Sequence, residues 1–287
     1  MRKNIHKTVA VFAVIAALTS GCRSSAEYKK LTQAGNEYAD AVNKLLTSAS
    51  DMRIEATSEM LLKDDRISNQ SVDNYTTLSK QDEERLRIID DIRNHNQLLQ
   101  AYFSKMQELA TSDAPDQART EIDGIADNLN TIGNRLSGSD LITDKSLLQN
   151  ATNLVINSRI RGALREELEK RHEVLLKELT IQEKVLHALS DSLREDVKSI
   201  KLARELRLVI RPLTQPEQIK DEDEWIQNRK NILLMDAKIE EIQKASTALQ
   251  KFREIFQASV EGKLNIARLN NHLKDIDSFL ALVENDK

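Results

Sequence analysis

The sequence predicts an all-α protein, an elongated bundle of long antiparallel coiled-coil-like helices, and three observations carry that reading. Seven glycines and three prolines in 287 residues leave little turn chemistry, while Ala, Leu, Glu, Lys, Arg and Gln, the strong helix formers, dominate. Aromatic residues make up 3% and charged residues 31%, which suits thin aliphatic seams and not a thick globular core. Apolar residues recur in alternating steps of three and four, the spacing that keeps one helix face against a partner.

The elements follow in order. Tyr28, Leu31, Gly35, Tyr38, Val42, Leu45, Ala49, Met52 and Ala56 form a first seam. Asp64, Asp65, Asn69, Gln70, Ser71 and Asn74 carry no apolar stripe and predict a loop or a frayed turn. A second helix is expected from about Thr76 to Thr111, with Leu86, Ile89, Ile92, Leu99, Phe103, Met106 and Ala110 on one face. Asn96 interrupts that face; a solvent-edge position is the commoner arrangement, and a buried, register-fixing asparagine is the alternative. Asp113, Ala114, Pro115 and Asp116 stop one helix and start the next.

The third helix carries Ile122, Ile125, Leu129, Ile132 and Leu136 and closes at Ser137, Gly138, Ser139 and Asp140. Gly124 and Gly133 within it each cost about 1 kcal/mol relative to alanine. A weakly stable, mobile hairpin is the expectation, with close helix contact as the alternative. Another helix start lies at Asp144. The longest segment is expected from about Ala163 to Arg211, lined by Leu164, Leu168, Leu175, Leu179, Leu186, Leu189, Leu193, Val197 and Ile200. Gly162 continues, kinks or ends the preceding helix, and Pro212 and Pro216 predict a turn, because proline supplies no backbone donor. After Pro216, Glu217, Asp221, Glu222, Asp223 and Glu224 oppose the positive end of a helix dipole. Consecutive carboxylates splay around a helix and do not converge on calcium or magnesium. That helix carries Trp225, Ile232, Ile239, Ile242, Leu249, Phe252 and Phe256 up to Gly262. A last helix is expected through Ile266, Leu269, Leu273, Ile276, Leu280 and Val283.

The N-terminus has a different character. Arg2, Lys3 and Lys7 precede an apolar run from Val9 to Leu18, followed by Thr19, Ser20, Gly21 and Cys22. This is the three-part order of an export signal. Ten apolar residues fall short of the roughly 20 needed to span a bilayer. The segment resembles the signal of bacterial lipoproteins, with Leu18 one position earlier than that pattern usually places its leucine. The resemblance covers residues 1 to 22 and implies cleavage between Gly21 and Cys22. It further implies diacylglycerol and an N-acyl chain on Cys22, and membrane anchoring in the cell envelope. Residues 1–21 are then a removed signal, and 22–287 form a single helical domain, with a possible subdivision near 138–143 and a turn at 212–216. No aspartate follows Cys22; in a double-membraned host this resembles lipoproteins sorted to the outer membrane, facing the periplasm. An unlipidated secretory signal and an N-terminal core helix are the alternatives. Cys22 is the sole cysteine, so no intramolecular disulfide forms.

Composition narrows the function classes. Without Arg2, Lys3 and Lys7, the 42 basic residues become 39 against 46 acidic, a net charge of about −7. An acidic, evenly mixed surface does not suit nucleic acid. No phosphate loop, Cys–His pair or G-x-S-x-G turn occurs, so no enzyme is expected and no cofactor beyond the lipid. Glu169 and His172 form one E-x-x-H pair, the half-motif of di-metal bundles, which need two such helices and two further glutamates. A solvated surface pair is the expected role.

Three readings remain. The first is an anchored spacer, adaptor or assembly factor that contacts an unidentified protein, with homo-oligomerisation open. The second is a ligand-binding bundle lined by Tyr102, Phe103, Trp225, Phe252 and Phe256. The third is a membrane-active toxin or lysis factor, which would want an apolar insertion segment absent after residue 22.

Overall fold

The computed structural model describes residues 24–63, 71–111, 115–139, 155, 156, 158, 160, 162–215 and 219–263. Among these residues all regular structure is helical. Helix α1 spans Ser24–Lys63, α2 Val72–Thr111, α3 Asp116–Gly138 and α4 Gly162–Arg204. A π-helical segment, Glu205–Ile210, joins α4 to the short α5, Arg211–Thr214; then come α6, Glu222–Gln250, and α7, Phe252–Val260. Gly21, Cys22, the loop from Asp64, the start at Asp144 and the seam from Ile266 lie outside the described residues, as do the side chains of Tyr28, Leu31, Gly35, Ile239, Ile242 and Leu249.

The helix boundaries have local causes. Helix α2 begins at Val72, earlier than the expected Thr76, because Ser71 caps it: its Oγ accepts from Asn74 N at 3.1 Å and its carbonyl from Tyr75 N at 3.2 Å. Pro115 opens α3, with φ −76° and its carbonyl bonded to Arg119 N. Gly162 begins α4 with φ 65°, so it is a start and not a continuation. Asp221 Oδ1 accepts from Glu224 N at 2.9 Å, capping the acidic first turn of α6. Gly262, at φ 72°, lets Lys263 N reach Ala258 O at 2.7 Å, the six-to-one closure of a Schellman end.

Pro212 does not end its helix, contrary to expectation. The π segment widens the turn ahead of it, and Arg211 N–H bonds five residues back to Leu206 O. That register accommodates a residue without a donor, and the chain leaves the helix only at Gln215.

Side-chain pairs fix the directions. Asn96 meets Ala39 and Asn43, Gln100 meets Asp40, and Arg53 meets Asp82, so α1 and α2 are antiparallel. Tyr102–Glu167, His95–Gln182 and Arg85–Ser192 make α2 and α4 antiparallel. Arg53–Asp196 and Glu59–Arg207 make α1 and α4 parallel. Helix α3 lies parallel to α4 in constant register: Arg119–Glu166, Asp123–Lys170 and Asn130–Lys177 are each 47 residues apart. Helix α6 returns antiparallel along α4, with Trp225 bonded to Val209 and Arg253 of α7 to Glu183. One core runs from Tyr38 to Val260 through α1, α2, α3, α4 and α7, with Met235 of α6 packed against it. With 40 residues, α1 is about 60 Å long at 1.5 Å per residue. None of the described helices is long and apolar enough to cross a membrane.

Candidate functional site

A polar layer crosses the middle of this aliphatic bundle. His95, Asn96, Glu178 and Gln182 are all 0% exposed. Asn96 Nδ2 donates to Ala39 O at 2.7 Å and to Asn43 Oδ1 at 2.9 Å. A carbonyl accepts only, so this contact orients the amide and leaves Asn96 Oδ1 as an acceptor. Gln182 Nε2 points to that oxygen at 3.4 Å, which turns Gln182 Oε1 toward His95 Nδ1 at 2.8 Å. Nδ1 therefore carries a hydrogen. His95 Nε2 lies 2.9 Å from Glu178 Oε2, a contact completed by one proton on either atom. In both arrangements the buried pair is neutral overall, which lowers the cost of burying it. Among the described residues Glu178 Oε1 accepts no hydrogen bond; Lys177 Nζ stands 3.9 Å from it.

Gly133 belongs to this layer. A Cβ there would stand 2.9 Å from Glu178 Cδ and 3.1 Å from Oε1, so the carboxylate occupies the space of the missing side chain. The expectation of a merely weak hairpin is corrected at this position: Gly133 marks close contact between α3 and α4. Gly124 has nothing within 4 Å and carries no such constraint. Asn96 likewise takes the buried, register-fixing role and not the solvent edge.

Two further polar layers flank the first. Toward the α1 N-terminus, Tyr102 Oη donates to Glu167 Oε1 at 2.7 Å, and Arg171 pairs with Glu167 and Asp123. Burial raises the Glu167 carboxyl above the usual range and pushes the Tyr102 phenol well up, helped by the adjacent Glu167 charge. Toward the other end, Arg53 bridges Asp82 at 2.8 Å and Asp196 at 3.2 Å. Burial raises the Asp196 carboxyl, against the lowering influence of Arg53. Beyond it, Glu59 receives Arg204 and Arg207, each at 2.9 Å.

The residues singled out in the sequence disperse. Glu169 pairs with Arg165 at 2.7 Å, and His172 Nδ1 donates to Leu168 O at 2.9 Å, so the two do not converge. Among the described residues no three His, Cys, Asp or Glu side chains are grouped to hold a metal. Of the five aromatic residues, three come together. Phe252 stacks on Tyr38 with centroids 4.0 Å apart, and Phe103 meets Phe252 edge-on at 5.7 Å and Phe256 at 5.8 Å. Tyr102 is engaged with Glu167, and Trp225 Nε1 donates to Val209 O at 3.1 Å, remote from the cluster. An open cleft of about 450 Å³ lies between α2 and α3, lined by Asn94, Gln97, Leu98, Asn128, Thr131, Ile132 and Arg135.

The surface has one marked asymmetry. Thirteen large apolar side chains are exposed among the described residues, and eleven lie at one end of the bundle. Ile54, Met60 and Leu62 are on the last turns of α1, Val72 and Tyr75 on the first of α2, and Leu202, Ile210 and Leu213 on the run from α4 to α5. Ile226, Leu233 and Leu234 are on the first turns of α6. The register above places all of them in the end farthest from Ser24. His95, Glu178 and Gln182 had one sequence signal: Glu178 and Gln182, four residues apart, border the leucine stripe of α4. The apolar end had none, because singly exposed leucines look like core in a periodic pattern. Comparison with protein-family models, curated proteins and solved structures finds no match for this chain.

Proposed function

We propose that the chain is a lipid-anchored, extracytoplasmic helical protein that acts through protein contact, as a spacer, adaptor or assembly factor of the cell envelope. The observation that carries this reading is the position of the exposed apolar residues, at the opposite end of the bundle from Ser24, where α1 begins. Apolar surface gathered at one end marks an interaction site. Acyl chains on Cys22 would hold the near end in a leaflet, with Arg23, Lys29 and Lys30 close to the headgroups. Helix α1 starts two residues after Cys22, so little linker separates lipid from body, and the far end stands some 60 Å above the membrane. The polar layers support this role because they hold the helices in one register along that length.

Replacing Cys22 with serine and fractionating the cells tests the anchor. The protein is expected to move from the membrane to the soluble fraction; retention on the membrane would overturn the reading.

A further inference from the structure

The first turns of α6 present an outward face that is complementary to itself. Ile226 is 56% and Leu233 53% exposed, seven residues apart, while Ile232 and Met235 turn into the bundle. At 100° per residue, Glu222 and Arg229 flank this stripe on one side, and Asp223 and Lys230 on the other. All four are exposed and make no ion pair among the described residues.

Each flank thus holds one acid and one base seven residues apart, and the two pairs taken together are centred on Ile226. Two copies of α6 packed antiparallel about a twofold axis at Ile226 bring Glu222 against the second copy's Arg229, and Asp223 against its Lys230. A parallel, in-register pairing would set like charges together. The antiparallel arrangement also brings Leu233 to the level just ahead of the second copy's Glu222, near that copy's Leu213. Leu213 is 61% exposed and, by the Trp225–Val209 bond, level with the start of α6.

We infer that this face of α6 binds a second copy of the chain, forming an antiparallel twofold dimer through the end farthest from Ser24. The seam is short, below the area of a large obligate interface, so the association is weak and charge-directed. The inference names the partner in the contact reading above and rests on that reading; of its consequences only the bridging of membranes depends on the lipid anchor. Ile226 is level with Glu59 of α1 through Val209 and Arg207, about 52 Å from Ser24. The two Ser24 residues therefore stand roughly 100 Å apart and face opposite ways. Anchored copies would bridge two membrane surfaces.

The test uses the full chain carrying Cys22→Ser, so that its outcome is independent of lipid, and reads mass by sedimentation equilibrium. Self-association in the micromolar range is expected. Glu222→Lys with Asp223→Lys makes the face wholly basic, and Arg229→Glu with Lys230→Glu makes it wholly acidic. Each variant, with unchanged circular dichroism, should self-associate at least about tenfold more weakly. An equimolar mixture of the two should recover the wild-type affinity as a heterodimer. The second variant leaves the capped first turn of α6 intact and so stands alone if the first fails to fold. A monomeric wild-type chain at about 100 µM, or charge-reversed variants that self-associate like the wild type, would overturn the inference. Fractionation of Cys22→Ser fails or passes separately and bears on the anchor alone.

Discussion

Gly133→Ala poses two effects of opposite sign. Alanine in a helix interior is favoured over glycine by about 1 kcal/mol, so an unconstrained site gains stability. At Gly133 the new methyl would stand 2.9 Å from Glu178 Cδ and must displace the carboxylate. That carboxylate is fully buried and bonded to His95 Nε2, and His95 is itself fixed through Nδ1 by Gln182. Losing the hydrogen bond costs about 0.5–1.5 kcal/mol if the pair is neutral and about 1.5–3 kcal/mol if it is charged, and a buried partner left unsatisfied costs about 1–3 kcal/mol more. Even partial displacement outweighs the gain, so Gly133→Ala should destabilise the chain by about 1–3 kcal/mol. Gly124→Ala, with nothing within 4 Å, should stabilise it by up to about 1 kcal/mol. Urea unfolding followed at 222 nm measures both. In a Glu178→Ala background the sign at 133 should reverse, since the obstructing group is gone. If Gly133→Ala stabilises the wild-type chain as Gly124→Ala does, the close contact and the role of Glu178 in it are wrong.

Asn96→Ala removes the donor to Ala39 O and Asn43 and the acceptor for Gln182; a loss of about 2 kcal/mol in urea unfolding is expected, and a change within 0.5 kcal/mol, the range of ordinary surface substitutions, would contradict the layer. Glu167 gives a pH dependence of definite sign. Burial raises its folded-state pKa, so between the unfolded and folded values the native state binds more protons, and stability rises as pH falls through that window. Glu167→Gln removes this contribution: the wild type should gain on the variant between neutral pH and the carboxyl range. A difference independent of pH would refute it.

The helices were legible because their cause is periodic and local. Alternating steps of three and four, with Pro115, located α2 and α3 to within a few residues; the helix expected to reach Arg211 turns into the π segment after Arg204, and the one expected to run to Gly262 is broken at Lys251 into α6 and α7. The departures are local as well: Ser71, polar among polar neighbours, caps α2, and Pro212 does not stop its helix because the π segment ahead of it absorbs the missing donor. The polar layer was harder to read. Its members are 87 and 83 residues apart in sequence, and a glutamate beside leucines is indistinguishable from a surface glutamate until the partner helix is placed. Asn96 was visible as an interruption, but its burial depends on Ala39 and Asn43, which nothing in the sequence of α2 specifies.

That dependence explains why an aliphatic bundle carries charged layers at all. Helices with uniform three-four seams can slide against one another by a heptad, about 10.5 Å, with little change in apolar burial. Here a slide of α4 against α2 would separate His95 from Glu178 and Tyr102 from Glu167. It would leave buried polar and charged groups unpaired, each at a cost of several kcal/mol. The same slide would part Arg53 from Asp196 and Glu59 from Arg207, which join α1 to α4. The layers thus convert a slippery seam into one register. That register brings the ends of α1, α4 and α5 and the start of α6 to a common level, where the exposed apolar residues and the self-complementary charges lie together.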